Sequence, residues 1–153
     1  MITIKEMAEM LGISTTTVSN VINGKTSEVS QKTAEKVQKL LDEYDYVPNM
    51  NAKNLAQNHS RLIGIVLKRR KDKYENIFTD PFHGELLGAL ESAIREQGYY
   101  MMIYISEDIE EIVRNIVGWN TEGLILIGML HDDYLKIRSK YKKPAVLIES
   151  YTP

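Results

Sequence analysis

A chain of 153 residues carries 19 Lys plus Arg against 21 Asp plus Glu, a net charge of −2, with 43% hydrophobic residues and no Cys. That is a globular composition, long enough for one medium domain or a small one joined to part of another. The lack of Cys excludes a disulfide framework, a thiolate metal site and a Cys nucleophile. No apolar run approaches the ~18 residues that span a bilayer, and the opening MITIKEMAEM has no signal-peptide core. The chain is therefore expected to be cytoplasmic, with no membrane partner. In residues 1–61, seven bases (Lys5, Lys25, Lys32, Lys36, Lys39, Lys53, Arg61) are balanced by seven acids (Glu6, Glu9, Glu28, Glu35, Asp42, Glu43, Asp45). Any binding of nucleic acid must rest on how polar groups are arranged, not on bulk charge.

In chain order, Ile4, Met7, Ala8 and Leu11 trace one face of a first helix. Thr3 and Glu6 are spaced as a capping box at its start, and Gly12 supplies the turn that follows. Ser14 caps a second helix whose buried face is Val18, Val21 and Ile22, and Asn23-Gly24 stops it. Ser30 opens a third, with Ala34, Val37, Leu41 and Tyr44 inward, in a segment ended by Pro48. Asn49 caps a fourth piece, Met50–Gln57, too short to be stable alone in water. From Leu62 the pattern changes to short β-branched runs at Ile63–Leu67, Tyr100–Ile105, Leu124–Ile127 and Ala145–Ile148. Between them lie helical faces: Leu86, Leu87, Leu90, Ala93 and Ile94; Ile109, Ile112, Val113, Ile116 and Val117; and a weaker one at Leu135–Tyr141. Continuous apolar strands alternating with helices predict a parallel sheet covered on both faces.

Helix, glycine turn and Ser-capped polar helix form the helix-turn-helix pattern. The outer face of its second helix is Thr15, Thr16, Ser19 and Asn20, short hydrogen-bonding groups suited to a helix laid in a major groove. Thr3–Asn23, Val29–Thr33, Tyr46-Val47-Pro48-Asn49, Ala52–Leu55 and Ile63-Gly64 together resemble the LacI/GalR family of bacterial transcription regulators. The resemblance covers essentially the whole chain, and less than half of a usual family member. The fold class it implies is an all-α helix-turn-helix DNA-binding domain (1–48), a hinge helix and linker (49–61), and an incomplete parallel-sheet α/β domain (62–153). The last is the partial N-terminal subdomain of a periplasmic-binding-protein-like effector domain.

Carried over by position, the resemblance puts Thr15, Thr16 and Asn20 at base edges, and Thr3, Ser14, Thr17, Ser19, Asn23, Ser30 and Thr33 at phosphates. Asn20 stands where Arg is common in the family; Arg reads guanine bidentately, whereas Asn prefers adenine. Leu55 would be the minor-groove wedge, with Ala52 and Lys53 beside it, in a helix that orders when two copies meet on DNA. Phe82, His83 and Glu149 match the effector neighbourhood. Lys68-Arg69-Arg70-Lys71-Asp72-Lys73 is the densest charge in the chain, either a solvated loop or a site for an anionic effector.

The implied function is a sequence-specific DNA-binding regulator, a repressor controlled by a small sugar or sugar phosphate. Its implied partners are a palindromic double-stranded operator and, in the full-length protein, a second copy as a homodimer. The alternatives are a truncated, nonfunctional or dominant-negative product, and a small-molecule-binding module without a DNA role. No enzyme activity, cofactor or metal is expected: His59, His83 and His131 are scattered, and no phosphate loop or triad spacing is present. His131-Asp132-Asp133 reads as the polar start of a helix.

Overall fold

The computed structural model describes residues 1–68 and 76–149. Two compact units divide after Lys53, and each is considered by itself.

The first unit is built from three helices, α1 (Ile4–Leu11), α2 (Thr15–Ile22) and α3 (Gln31–Glu43), and ends in the first residues of α4 (Met50–Gln57). Its helix starts are set locally. Thr3 and Glu6 complete the capping box, with the Thr3 N–H donating to Glu6 Oε2 at 2.7 Å and the Glu6 N–H to Thr3 Oγ1 at 3.2 Å. Gly12 closes α1 at φ 66°, a left-handed conformation that costs a glycine least. Met7, Ala8, Val18, Val21, Val37 and Leu40 form the core.

One expectation is corrected here. Leu40, not Tyr44, completes the inner face of α3, and Tyr44 is exposed. The helix ends at Glu43, and Asp45 at φ 46° then turns the chain back. The Tyr46 N–H thereby reaches Leu41 O at 2.9 Å, and the Tyr46 side chain packs on the core in place of Tyr44. α4 runs over the expected residues, Met50–Gln57, yet buries none of them. Its side-chain hydrogen bonds are local to the chain around it. Asn49 Oδ1 accepts the N–H groups of Asn51 (3.0 Å) and Ala52 (3.3 Å). From the middle of the helix the Asn54 amide donates to Ser60 O, beyond its C-terminus, at 3.0 Å.

The second unit is a four-stranded sheet in the order β2-β1-β3-β4, all pairs parallel: β1 Leu62–Lys68, β2 Tyr100–Ser106, β3 Gly123–Ile127 and β4 Ala145–Ile148. Helices α5 (Pro81–Glu96), α6 (Ile109–Gly118) and α7 (His131–Lys140) connect successive strands. Alternation along β1 splits the core into two clusters. Val66 joins Leu124, Leu126, Ile112, Ile116 and Ile137 on one side, whereas Ile65 and Leu67 join Leu87, Ile94 and Ile77 on the other. Both faces are thus covered, as the apolar runs predict. At Gly64 the sheet is closely packed: a Cβ there would lie 2.8 Å from Leu124 Cδ2, and the Leu124 side chain would have to shift.

Ala93 and Val117 are exposed rather than buried, since each sits on the flank of its helix's apolar face. α7 starts at His131, earlier than its apolar residues suggest, with Ile137 inward and Leu135 outward. Tyr141, just past it, is buried and donates its hydroxyl to Thr121 O at 2.9 Å; burial pushes the Tyr141 phenol up.

Glu111, in the first turn of α6, accepts from Ser106 Oγ at 2.6 Å and Tyr104 Oη at 2.8 Å, both on β2. These two bonds hold its carboxyl below the usual glutamate value, and the bond to Glu111 raises the Tyr104 phenol above its usual 10. The stability linked to Glu111 is complete above the unfolded glutamate value and is lost as pH falls through the lower folded one. That linked to Tyr104 is complete below pH 10 and is lost as pH rises through the raised value. Urea midpoints of the chain measured against pH are expected to fall at both ends, and Glu111→Gln to blunt the acid-side fall.

Candidate nucleic-acid interface

The residues expected to read bases lie on α2, whose start is fixed by Ser14. The Ser14 Oγ accepts the Thr17 N–H at 3.1 Å and lies 2.9 Å from Thr17 Oγ1. Val18 and Val21 bury the opposite face of the helix, so Thr15 and Thr16 are turned outward. Both are exposed and make no side-chain hydrogen bond among the described residues. The helix end is closed by Asn23, whose amide donates to Ser19 O at 2.9 Å and Ser19 Oγ at 3.2 Å. Ser30 caps α3 in the same way: its Oγ accepts the Thr33 N–H at 3.3 Å and donates to Thr33 Oγ1 at 2.8 Å.

Two side chains that the resemblance assigns to DNA are engaged within the fold. The Thr3 hydroxyl, expected at a phosphate, donates to Glu6 Oε2 at 2.8 Å. That carboxyl is held below its usual value by the backbone and then the side chain of Thr3. Asn20 is also engaged, with its Nδ2 donating to Glu28 Oε2 at 3.2 Å. Glu28 ends a 3-10 turn, Thr26–Glu28, between α2 and α3. The sequence holds one signal for it, an acid placed just beyond the Asn23-Gly24 stop, where the chain turns back along the helix.

On α4, Leu55 is 85% exposed, an unusual position for leucine on a helix that buries nothing. Ala52 is exposed and Lys53 half-buried.

In the sheet unit, the strand order reverses between β1 and β3, the place where open α/β sheets carry a crevice beyond their C-terminal strand ends. Asp80 caps α5 there, accepting the Phe82 N–H at 2.9 Å. His83 Nδ1 lies 3.5 Å from Asp80 Oδ2, and the Phe82 and His83 rings meet edge-on with centroids 5.7 Å apart. Phe82 is exposed. Glu149 follows β4 in a left-handed conformation, φ 50°, and is exposed.

Lys68 departs from the expectation for its charge run. It is the last residue of β1 and pairs with the buried Asp133 of α7 at 2.6 Å. It is thus committed within the fold and is not part of a solvated loop. Residues 69–73 of that run lie outside the described residues.

Residues 3–49 match the family model described as "Bacterial regulatory proteins, lacI family". The chain is 31% identical over 138 residues to the HTH-type transcriptional regulator MalR of Streptococcus pneumoniae, covering 88% of this chain and 41% of that protein. It is 34% identical over 131 residues to the HTH-type transcriptional repressor PurR of Vibrio campbellii, covering 83% and 36%. Among solved structures it resembles the lac repressor dimer bound to operator and the anti-inducer ONPF, with a TM-score of 0.81 and 26% identity over 98% of this chain and 45% of that one. The chain spans about two fifths of the length of these curated relatives. With its helix-turn-helix unit and four-stranded parallel sheet in that order, the chain belongs to the lacI family of bacterial regulatory proteins.

Proposed function

We propose that this chain is the DNA-reading and part of the effector-sensing portion of a transcriptional repressor. The observation that carries the reading is the outer face of α2, where Thr15, Thr16 and Asn20 project from a helix pinned by Val18 and Val21. Short donors and acceptors on a rigid helix reach base edges in a major groove without the desolvation that longer charged groups would demand. Ser14, Thr17, Ser19, Asn23, Ser30, Thr33 and Thr3 then contact phosphates. The Ser-capped starts of α2 and α3 add backbone N–H groups and the positive ends of two helix dipoles. α4 is the minor-groove element, with Leu55 as its wedge and Ala52 and Lys53 beside it, paired with the same helix of a second copy. Residues 1–48 are the DNA-binding domain, 49–61 the hinge and linker, and 62–153 the effector subdomain.

The effector is a small sugar or sugar phosphate held beyond the strand ends by Phe82, His83 and Glu149. Support comes from the placement of these residues on the C-terminal side of a parallel sheet with a reversed strand order. An aromatic face and a carboxylate suit a hydroxylated ring. The lac repressor structure that this chain resembles was solved with operator and an anti-inducer.

Exposing the purified chain to a random duplex pool at low salt, and sequencing what it retains, tests the reading. Enrichment of a short palindrome with a flexible central step is the expected result. Retention without sequence enrichment would overturn it.

A further inference from the structure

We propose that Glu28 sets the base specificity of Asn20, acting as a positioning residue for that amide. The inference rests on the reading that α2 enters a major groove. The loop after α2 is tied back to Asn20 twice: the Lys25 N–H donates to Asn20 O at 2.8 Å, and Asn20 Nδ2 donates to Glu28 Oε2 at 3.2 Å. Gly24, at φ 72°, makes the reversal possible, and Val29, packed on the core next to Glu28, anchors its far end.

A primary amide offers two N–H donors and one carbonyl acceptor. Free in solution, it presents either edge to a base. With one N–H held by the Glu28 carboxylate, the nitrogen edge is fixed, and the second N–H and Oδ1 remain. That remaining pair matches adenine, whose N7 accepts and whose N6 amino group donates. It mismatches guanine, which shows two acceptors, N7 and O6, in the groove. The carboxylate adds to the discrimination, because it attracts an amino donor and repels the guanine O6. Its charge also opposes phosphate, so the same group lowers affinity for DNA of every sequence alike.

The test compares the chain with Glu28→Ala, Glu28→Gln, Asn20→Ala and the double variant Asn20→Ala with Glu28→Ala. Each is titrated at low salt with the duplex selected from the random pool and with single-base variants of it. Glu28→Ala is expected to reduce the preference for adenine over guanine at one base pair by about 5- to 150-fold, the range of one bidentate contact, and to leave the other positions unchanged. Glu28→Gln, which retains an acceptor oxygen, is expected to restore most of that preference while binding random duplex more tightly. In the Asn20→Ala background, Glu28→Ala is expected to change nothing at that base pair. An unchanged adenine-to-guanine ratio in Glu28→Ala, with the unsubstituted chain still selective, would overturn the inference and leave the DNA-reading function standing. An equal effect with and without Asn20 would do the same. Absence of selectivity in the unsubstituted chain would overturn both.

Discussion

Met7→Ala is expected to unfold the helical unit and abolish sequence-selective DNA retention, while the sheet unit remains folded. Met7 is completely buried among Ala8, Val18, Val21, Val37 and Leu40, and that cluster is the whole core of a unit ending at Lys53. Cutting a buried methionine to alanine costs about 2–5 kcal/mol, the lost transfer energy plus the cavity left behind. A domain of this size has roughly 3–8 kcal/mol in total, at about 0.05–0.15 kcal/mol per residue. The loss is therefore comparable to the whole. Small units also lack the buried area to absorb it. Circular dichroism is expected to show an early helical transition shifted down or missing, with a later transition from the parallel sheet unmoved. A single cooperative transition that Met7→Ala shifts as a whole would show that the two units do not unfold separately.

Leu55→Ala is expected to leave thermal stability unchanged and to weaken binding to the selected palindrome by about 10- to 150-fold. At 85% exposure, Leu55 contributes little to the folded chain by itself, so a stability loss is not the route to a binding loss. Burying a leucine in an apolar setting is worth about 1.5–3 kcal/mol, which converts to that range of affinity. Affinity for random duplex, and its dependence on salt, should be the same in both proteins, because the wedge carries no charge to release counterions. Equal loss for selected and random duplexes would remove Leu55 from the minor groove.

These two substitutions differ in how far the sequence alone could foresee them. Met7 follows from helical spacing: residues at i, i+3, i+4 and i+7 share a face, whatever that face meets. Leu55 follows from family resemblance, since nothing in a two-turn segment says whether a leucine is buried or offered to a partner. The structure adds that α4 has no buried residue and that its side-chain hydrogen bonds reach only nearby residues along the chain. Tyr44 shows where periodicity misleads. Helical phase puts it on the inner face of α3, but the helix stops at Glu43, and the left-handed Asp45 brings Tyr46 into the place expected for it.

What the sequence determined by itself is the set of elements and their kinds. Thr3 with Glu6, Ser14, Ser30 and Asn49 are caps that act within three residues of themselves. Four β-branched runs between helical faces were enough to specify a parallel sheet covered on both sides. The tertiary structure alone decided the strand order β2-β1-β3-β4, the ion pair of Lys68 with Asp133 and the hydrogen bond of Asn20 to Glu28. Caps and periodicity are local energies, summed over a few neighbouring residues. The other three depend on which segments meet after the chain has closed its loops, and a pattern read along the chain carries no term for that meeting.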